Sequence, residues 1–175
     1  MPHHGFKTGP ACTHLKEQEL HFHLYMHHYS SGSNANATTA VHSKHHNSFG
    51  QIAVNDWPIF DGPGPCAKTV ARGQGLYVHA AQADHACQGF VPGVGYTSFT
   101  IKFNHESGFP GSTLYVMGDA VTAHESAVVG GTGEFTMAGG IVKKSQKETN
   151  CSGWIVELHI HARYTPMKHG NAWSL

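Results

Sequence analysis

The chain has 175 residues, of which 39% are hydrophobic, and Lys+Arg and Asp+Glu balance at 11 each. A chain of this length buries enough surface to fold as one domain, and its balanced charge excludes nucleic-acid binding through phosphate neutralisation. No apolar run approaches the ~20 residues of a membrane-spanning helix. Neither a nucleic acid nor a membrane is therefore an expected partner.

Alternation of apolar and polar side chains predicts a first β-strand with one buried face. The apolar residues are Leu20, Phe22, Leu24 and Met26, and the polar residues between them are His21, His23, Tyr25 and His27. By the same parity His28 lies on the apolar face.

Seven further segments follow, with turn-forming glycines and prolines between them and no helical periodicity. They cover residues 49–54, 69–81, 96–103, 112–117, 126–129, 134–143 and 154–164. Gly73 and Gly75 within a strand pattern are typical of bulges and barrel bends. The pattern predicts an all-β domain over residues 19–165, and closure into a barrel removes its exposed edges. Residues 1–18 and 166–175 are predicted to be flexible tails.

The amino terminus and the cysteines give little sign of compartment. No apolar signal-peptide segment follows Met1, which predicts a cytoplasmic protein if Met1 is native and a secreted one if a leader was removed. Cys12, Cys66, Cys87 and Cys151 form no CxxC pair, so isolated thiols are expected rather than a zinc knuckle.

Five motifs in order resemble those of the plant dirigent protein family: LYMHH at 24–28, NAT at 36–38, QGLYV at 74–78, GSTL at 111–114 and VGGTGEFTMA at 129–138. The segment 54–65 most resembles the dirigent halves of monocot chimeric jacalin proteins. The resemblance implies an eight-stranded antiparallel β-barrel, a ligand cavity inside each barrel and assembly as a homotrimer.

The resemblance also implies a function in plant defence or phenylpropanoid metabolism without a cofactor. Dirigent proteins bind phenoxy radicals or quinone methides made by a separate oxidase, such as a laccase or peroxidase, and steer the stereochemistry of lignan coupling or cyclisation. The expected protein is therefore a non-oxidative binding protein rather than an enzyme in its own right. The alternative is a lectin-like defence module that binds an oligosaccharide. A catalytic cyclase is the least favoured hypothesis.

Candidate site residues follow from the same resemblance. His28 takes the place of an acidic proton-relay residue, and Gly139 takes that of a pocket arginine. Asp119 lies near an acidic pocket position. The other predicted ligand-binding residues are aromatic or apolar: Tyr77, Phe99, Phe135 and Met137.

The remaining histidines cluster on predicted polar faces. His21, His23 and His27 lie on the first strand, and His159 and His161 lie on the last one. Imidazoles at i and i+2 are able to chelate Zn, Cu or Ni. A solvated or intersubunit role explains them without an ion, and no metal is the expectation.

Overall fold

The computed structural model describes residues 16–45, 48–80, 95–119, 125–150 and 153–166. These residues form nine β-strands and two one-turn 3₁₀ helices, His105–Ser107 and Gly133–Phe135, with no α-helix. Among them, no helix is long and apolar enough to cross a bilayer. The strands are β1 Gln18–Tyr29, β2 Ala37–Val41, β3 Ile52–Phe60, β4 Thr69–Val78, β5 Tyr96–Phe103, β6 Thr113–Asp119, β7 Glu125–Thr132, β8 Gly139–Asn150 and β9 Gly153–Tyr164.

Eight of these strands close into an antiparallel barrel. Neighbours follow the order β1-β9-β8-β7-β6-β5-β4-β3, and β1 pairs with β3 to complete the circle. The predicted all-β class and eight-stranded antiparallel barrel are thus confirmed. Most of the predicted tails, and Cys12, Cys87 and Cys151, lie outside the described residues, whereas Cys66 is an exposed free thiol.

The remaining strand, β2, lies beside the seam of the barrel, which is where β1 meets β3. It pairs with the first half of β3, whereas β1 pairs with β3 only near its end, at Ile59 and Phe60. Asn36 holds this seam together, because its side chain accepts from the Tyr29 N–H and donates to the His27 carbonyl. The backbone carbonyl of Asn36 also accepts from the Asp56 N–H. One asparagine therefore links β1 to β3 beside the start of β2.

A cluster of aromatic rings fills one end of the barrel, and we call it the aromatic plug. Phe135 is fully buried at its centre, with ring centroids 5.0–5.3 Å from those of three of its neighbours. Such edge-to-face and tilted contacts add to the stabilisation from burial alone. The plug comprises Phe22, Phe103, Phe109, Phe135 and Tyr164.

Strand β8 begins at Gly139, five residues later than the sequence predicts, and this decides where three of the candidate site residues lie. Gly133, at a φ of +65°, opens a 3₁₀ turn, and Met137 follows at a φ of +60°. The turn breaks the alternation, so Phe135 enters the plug instead of the cavity and Met137 is 70% exposed. Gly139 pairs with the outward residue Arg163, and a side chain at this position would therefore lie on the outer face. The loss of a pocket arginine at Gly139 stays a prediction from the family resemblance.

Candidate functional site

The barrel contains a cavity of about 740 Å³ at the end opposite the aromatic plug. This volume is within the range of about 300–1,000 Å³ that is usual for small-molecule sites. Indole, phenyl and phenol rings form much of the wall. Polar side chains stand between them. The lining includes His28, Asn55, Trp57, Tyr77, Phe99, Lys144 and Trp154.

His28, near the end of β1, reaches the cavity as predicted and is held there by two indoles. Its Nδ1 accepts a hydrogen bond of 2.8 Å from the Trp57 indole N–H. Its ring stacks on Trp154, with centroids 4.0 Å apart and 17° between the planes. Trp57 on β3 and Trp154 on β9 come from the two strands that flank β1, which explains how all three rings meet.

The protonation of His28 follows from this geometry. Burial lowers the pKa of the imidazole below its ordinary value of 6.5, so the neutral form dominates at pH 7. An indole N–H only donates, so Nδ1 must be the accepting nitrogen and Nε2 carries the proton. His28 therefore offers the cavity a hydrogen-bond donor, whereas a general base would need Nδ1 free.

Lys144 is a cationic residue of the cavity wall, and no sequence motif pointed to it. It is buried on β8, on the same side as Val142, and its Nζ donates to the backbone carbonyl of Asp119 at 2.6 Å. Burial lowers the pKa of the ammonium, and the nearby Asp119 charge opposes that shift. The inward orientation of Lys144 follows only from the pairing register of β8 with β9. Gly140 pairs with the inward residue Ala162, and Lys144 has the same parity as Gly140.

Asn55 supplies a third polar group to the wall. It lies on the inner side of β3, two residues before Trp57, and is only 7% exposed. Its Nδ2 is buried without a hydrogen-bond partner among the described residues. Buried donors are nearly always satisfied, so an orphan amide beside a cavity indicates a place for a ligand acceptor.

The other predicted residues divide between the wall and its surroundings. Tyr77 and Phe99 line the cavity, and Phe99 meets Trp57 edge-to-face at 5.5 Å. Burial, followed by the Asp119 charge, raises the pKa of the Tyr77 phenol, which keeps it protonated. Asp119 does not line the cavity within the described residues, and its backbone carbonyl accepts the hydrogen bond from Lys144.

Two single substitutions and their combination test the His28–Trp57 hydrogen bond. We expect His28→Ala to lower the free energy of unfolding by about 1–3 kcal/mol, because the Trp57 N–H loses its acceptor in a buried site. In the His28→Ala/Trp57→Phe double variant the orphan donor is gone, so the total loss should be smaller than the sum of the single losses. Urea unfolding of the four proteins measures this coupling, and strict additivity would contradict the assigned bond.

The pH dependence of stability tests the lowered pKa of His28. In the unfolded chain the imidazole keeps its ordinary value of 6.5, so it takes up a proton before the folded protein does. Stability should be fully present above pH 6.5, fall as the pH drops toward the folded pKa, and lose nothing more to this group below it. The difference in unfolding free energy between pH 7.5 and pH 5 should shrink in His28→Gln. An unchanged difference would refute the shift.

Comparison with known proteins agrees with this architecture. Residues 19–163 match the family model of the dirigent-like proteins. Dirigent protein 1 of Arabidopsis thaliana is 33% identical over 147 residues, which cover 76% of this chain and 72% of the relative. Pterocarpan synthase 1 of Glycine max is 28% identical over 133 residues, covering 71% and 67%.

Among solved structures, a pterocarpan synthase dirigent protein superposes with a TM-score of 0.72 at 26% identity, covering 87% of this chain and 88% of its own. An eight-stranded barrel of the same kind is thus found in proteins with related sequences. The chain belongs to the dirigent-like protein family. The nearer likeness to chimeric jacalin proteins stays a prediction, and these comparisons give no support to the alternative of an oligosaccharide-binding module.

Proposed function

We propose that this dirigent-like protein binds a small phenolic ligand in the barrel cavity and fixes the face on which a new bond forms. The observation that carries the proposal is the set of three donors between aromatic walls. These donors are the Lys144 ammonium, the unpartnered Asn55 Nδ2 and the His28 Nε2–H.

The wall chemistry supports a phenolic ligand over other small molecules. Trp57, Trp154 and Phe99 offer flat apolar surfaces to an aromatic ring. The donors suit phenol, methoxyl or quinone oxygens, and the ammonium of Lys144 stabilises negative charge that develops on such an oxygen. Within the described residues no carboxylate lines the cavity, so an electron-rich oxygen meets no like charge there.

The proposed reaction leaves oxidation to another protein. A separate laccase or peroxidase removes one electron and one proton from each phenol, and two of the resulting radicals join through one C–C bond to give a quinone methide. In ring closure, a hydroxyl oxygen of the same molecule bonds to the quinone methide carbon, and its proton goes to the former quinone oxygen. That second step is an isomerisation, so no oxidant or cofactor is needed.

A ring-closing role is the second candidate, and the relatives favour it. Proteins named pterocarpan synthase occur among the sequence relatives and among the similar structures. In this version Lys144 and His28 donate hydrogen bonds to the oxygen that receives the proton, and the protein is an enzyme.

Product chirality tests both candidates. Coniferyl alcohol is oxidised by laccase with and without the protein, and the coupled products are separated by chiral chromatography. In parallel, a racemic quinone methide precursor with an internal phenol hydroxyl is followed for ring closure. An enantiomeric excess that depends on protein concentration is expected in one arm. Racemic products in both arms, together with no binding of either phenol, would overturn the proposal.

We further propose that the protein associates as a homotrimer, as its family resemblance implies. Apolar side chains on the outer faces of β6 and β7 support an association of copies, because Tyr115, Met117 and Val129 are exposed in the single chain. Light scattering at micromolar concentration should give about three times the chain mass of 18.9 kDa. The mass of a single chain would contradict it.

A further inference from the structure

The outer face of β1 and β9 carries four histidines in two facing pairs, which we call the histidine ladder. His21 pairs across the strands with His161, and His23 pairs with His159. The rings of each pair stack, with centroids 4.2 Å apart in the first and 4.3 Å apart in the second. All four line a shallow groove on the outside of the barrel.

A buried carboxylate lies at one end of the ladder. The Glu157 side chain is only 9% exposed although it is on the outer face of β9. Its Oε1 lies 2.7 Å from His23 Nε2, and its Oε2 lies 3.5 Å from His159 Nε2. The three donor atoms all lie within 4.8 Å of one another.

These distances are close to those around a metal ion. In tetrahedral zinc sites with bonds of about 2.0–2.2 Å, neighbouring donor atoms lie about 3.3–3.5 Å apart. The His159–Glu157 separation of 3.5 Å falls within this range and the His23–Glu157 separation of 2.7 Å is shorter, so small side-chain movements bring the atoms onto one ion. Two imidazoles and one carboxylate suit Zn²⁺ or Cu²⁺, whereas Mg²⁺ and Ca²⁺ prefer oxygen ligands throughout.

Lys147 is the cationic group that competes with an ion for Glu157, and the Tyr25 hydroxyl, 3.0 Å from His23 Nε2 and 3.4 Å from Glu157 Oε1, is a neutral competitor. Its Nζ lies 2.7 Å from Glu157 Oε2, and it occupies the extra position of a β-bulge between Gln146 and Glu148. A bulge turns a side chain away from its regular direction. The bulge thus places the Lys147 ammonium at the carboxylate oxygen that an ion would occupy.

We propose that His23, Glu157 and His159 form a binding site for one divalent transition-metal ion of the Zn²⁺ or Cu²⁺ type. The ion displaces the Lys147 ammonium from Glu157, while the Ser145 hydroxyl, which donates to Oε2 at 2.9 Å, steadies the carboxylate. The second group in the ladder, Glu19 with His21 and His161, is fully exposed, and its carboxylate also faces Arg163. It is therefore the weaker candidate. The site lies on the outside of the barrel, so it does not depend on the function proposed for the cavity.

Calorimetric titration with Zn²⁺ tests the site on the full chain. The chain has 17 histidines, so the informative quantity is the difference between variants under the same chelator competition. In His23→Ala/His159→Ala the tightest site should weaken by more than the roughly 10–100-fold that loss of an outer-shell partner costs. His105→Ala removes an exposed histidine from the 3₁₀ helix and should leave that site unchanged. Equal affinities in the wild type and the double variant would overturn the proposal.

Lys147→Met separates a metal site from a network of ion pairs alone. Removal of the competing ammonium should raise the Zn²⁺ affinity, and Cu²⁺ should bind more tightly than Zn²⁺ to both proteins. Lys147 is exposed, so this variant should fold, which circular dichroism checks. An unchanged or lower Zn²⁺ affinity in Lys147→Met would show that the cluster holds no ion and would overturn the proposal.

Discussion

Replacing Phe135 by alanine is expected to lower the free energy of unfolding by about 3–5 kcal/mol. The side chain is fully buried at the centre of the aromatic plug, in contact with Phe103, Phe109 and Tyr164. Its removal leaves a cavity that the surrounding rings, held by eight strands, cannot fill. Urea unfolding followed by tryptophan fluorescence measures the loss.

Met137→Ala is the matched control for this result. Met137 is two residues further along and 70% exposed, so the change should stay within about 0.5 kcal/mol. A regular strand through this segment would place both side chains on the same face and make the two losses similar. Comparable losses would therefore contradict the 3₁₀ turn at Gly133–Phe135.

The second large effect is expected for Lys144→Met, which should weaken binding of a phenolic ligand by about 10- to 100-fold. A hydrogen bond to a charged group contributes about 1.5–3 kcal/mol, and every 1.4 kcal/mol is about tenfold in affinity. Because burial disfavours the ammonium, Lys144→Met should melt at the same temperature as the wild type or higher. Quenching of tryptophan fluorescence by coniferyl alcohol gives the dissociation constants.

Lys143→Met provides the control, since it removes the same charge one residue earlier. Lys143 is exposed on the outer face of β8, opposite His159, and its loss should leave the dissociation constant unchanged. Equal weakening in the two variants would mean that net charge, and not the inward ammonium, determines affinity. That outcome would remove Lys144 from the site.

Strict alternation made β1 and β9 predictable from sequence. Apolar and polar residues alternate over 20–27 in β1 and over 156–163 in β9, so the faces of His28 and of the histidine ladder followed from parity alone. Strand β2 was not predicted because Ala37–Val41 is short and has no buried face. The start of β8 was predicted too early because Gly133, in the left-handed conformation, interrupts the alternation that would otherwise extend from Lys143 toward the amino terminus.

Candidate site residues were predictable only where the alternation of their sequence neighbours determines which face of the strand they occupy. His28 shares a strand with four apolar neighbours, and this fixes its orientation. A lysine such as Lys144 is ordinarily exposed, and its inward position depends on the pairing of β8 with β9. The contacts of His28 with Trp57 and Trp154 could not be predicted, because they depend on β3 and β9 both flanking β1. No pattern within a single strand contains that information.

Separation of the aromatic plug from the cavity has a consequence for the evolution of this barrel. The rings of the plug pack against one another at one end, and the side chains that line the cavity stand at the other. A substitution in the cavity wall such as Lys144→Met thus changes specificity without touching the plug, and new specificities are open to selection one residue at a time. The same scaffold is therefore able to diversify toward many small molecules while its closed end stays constant.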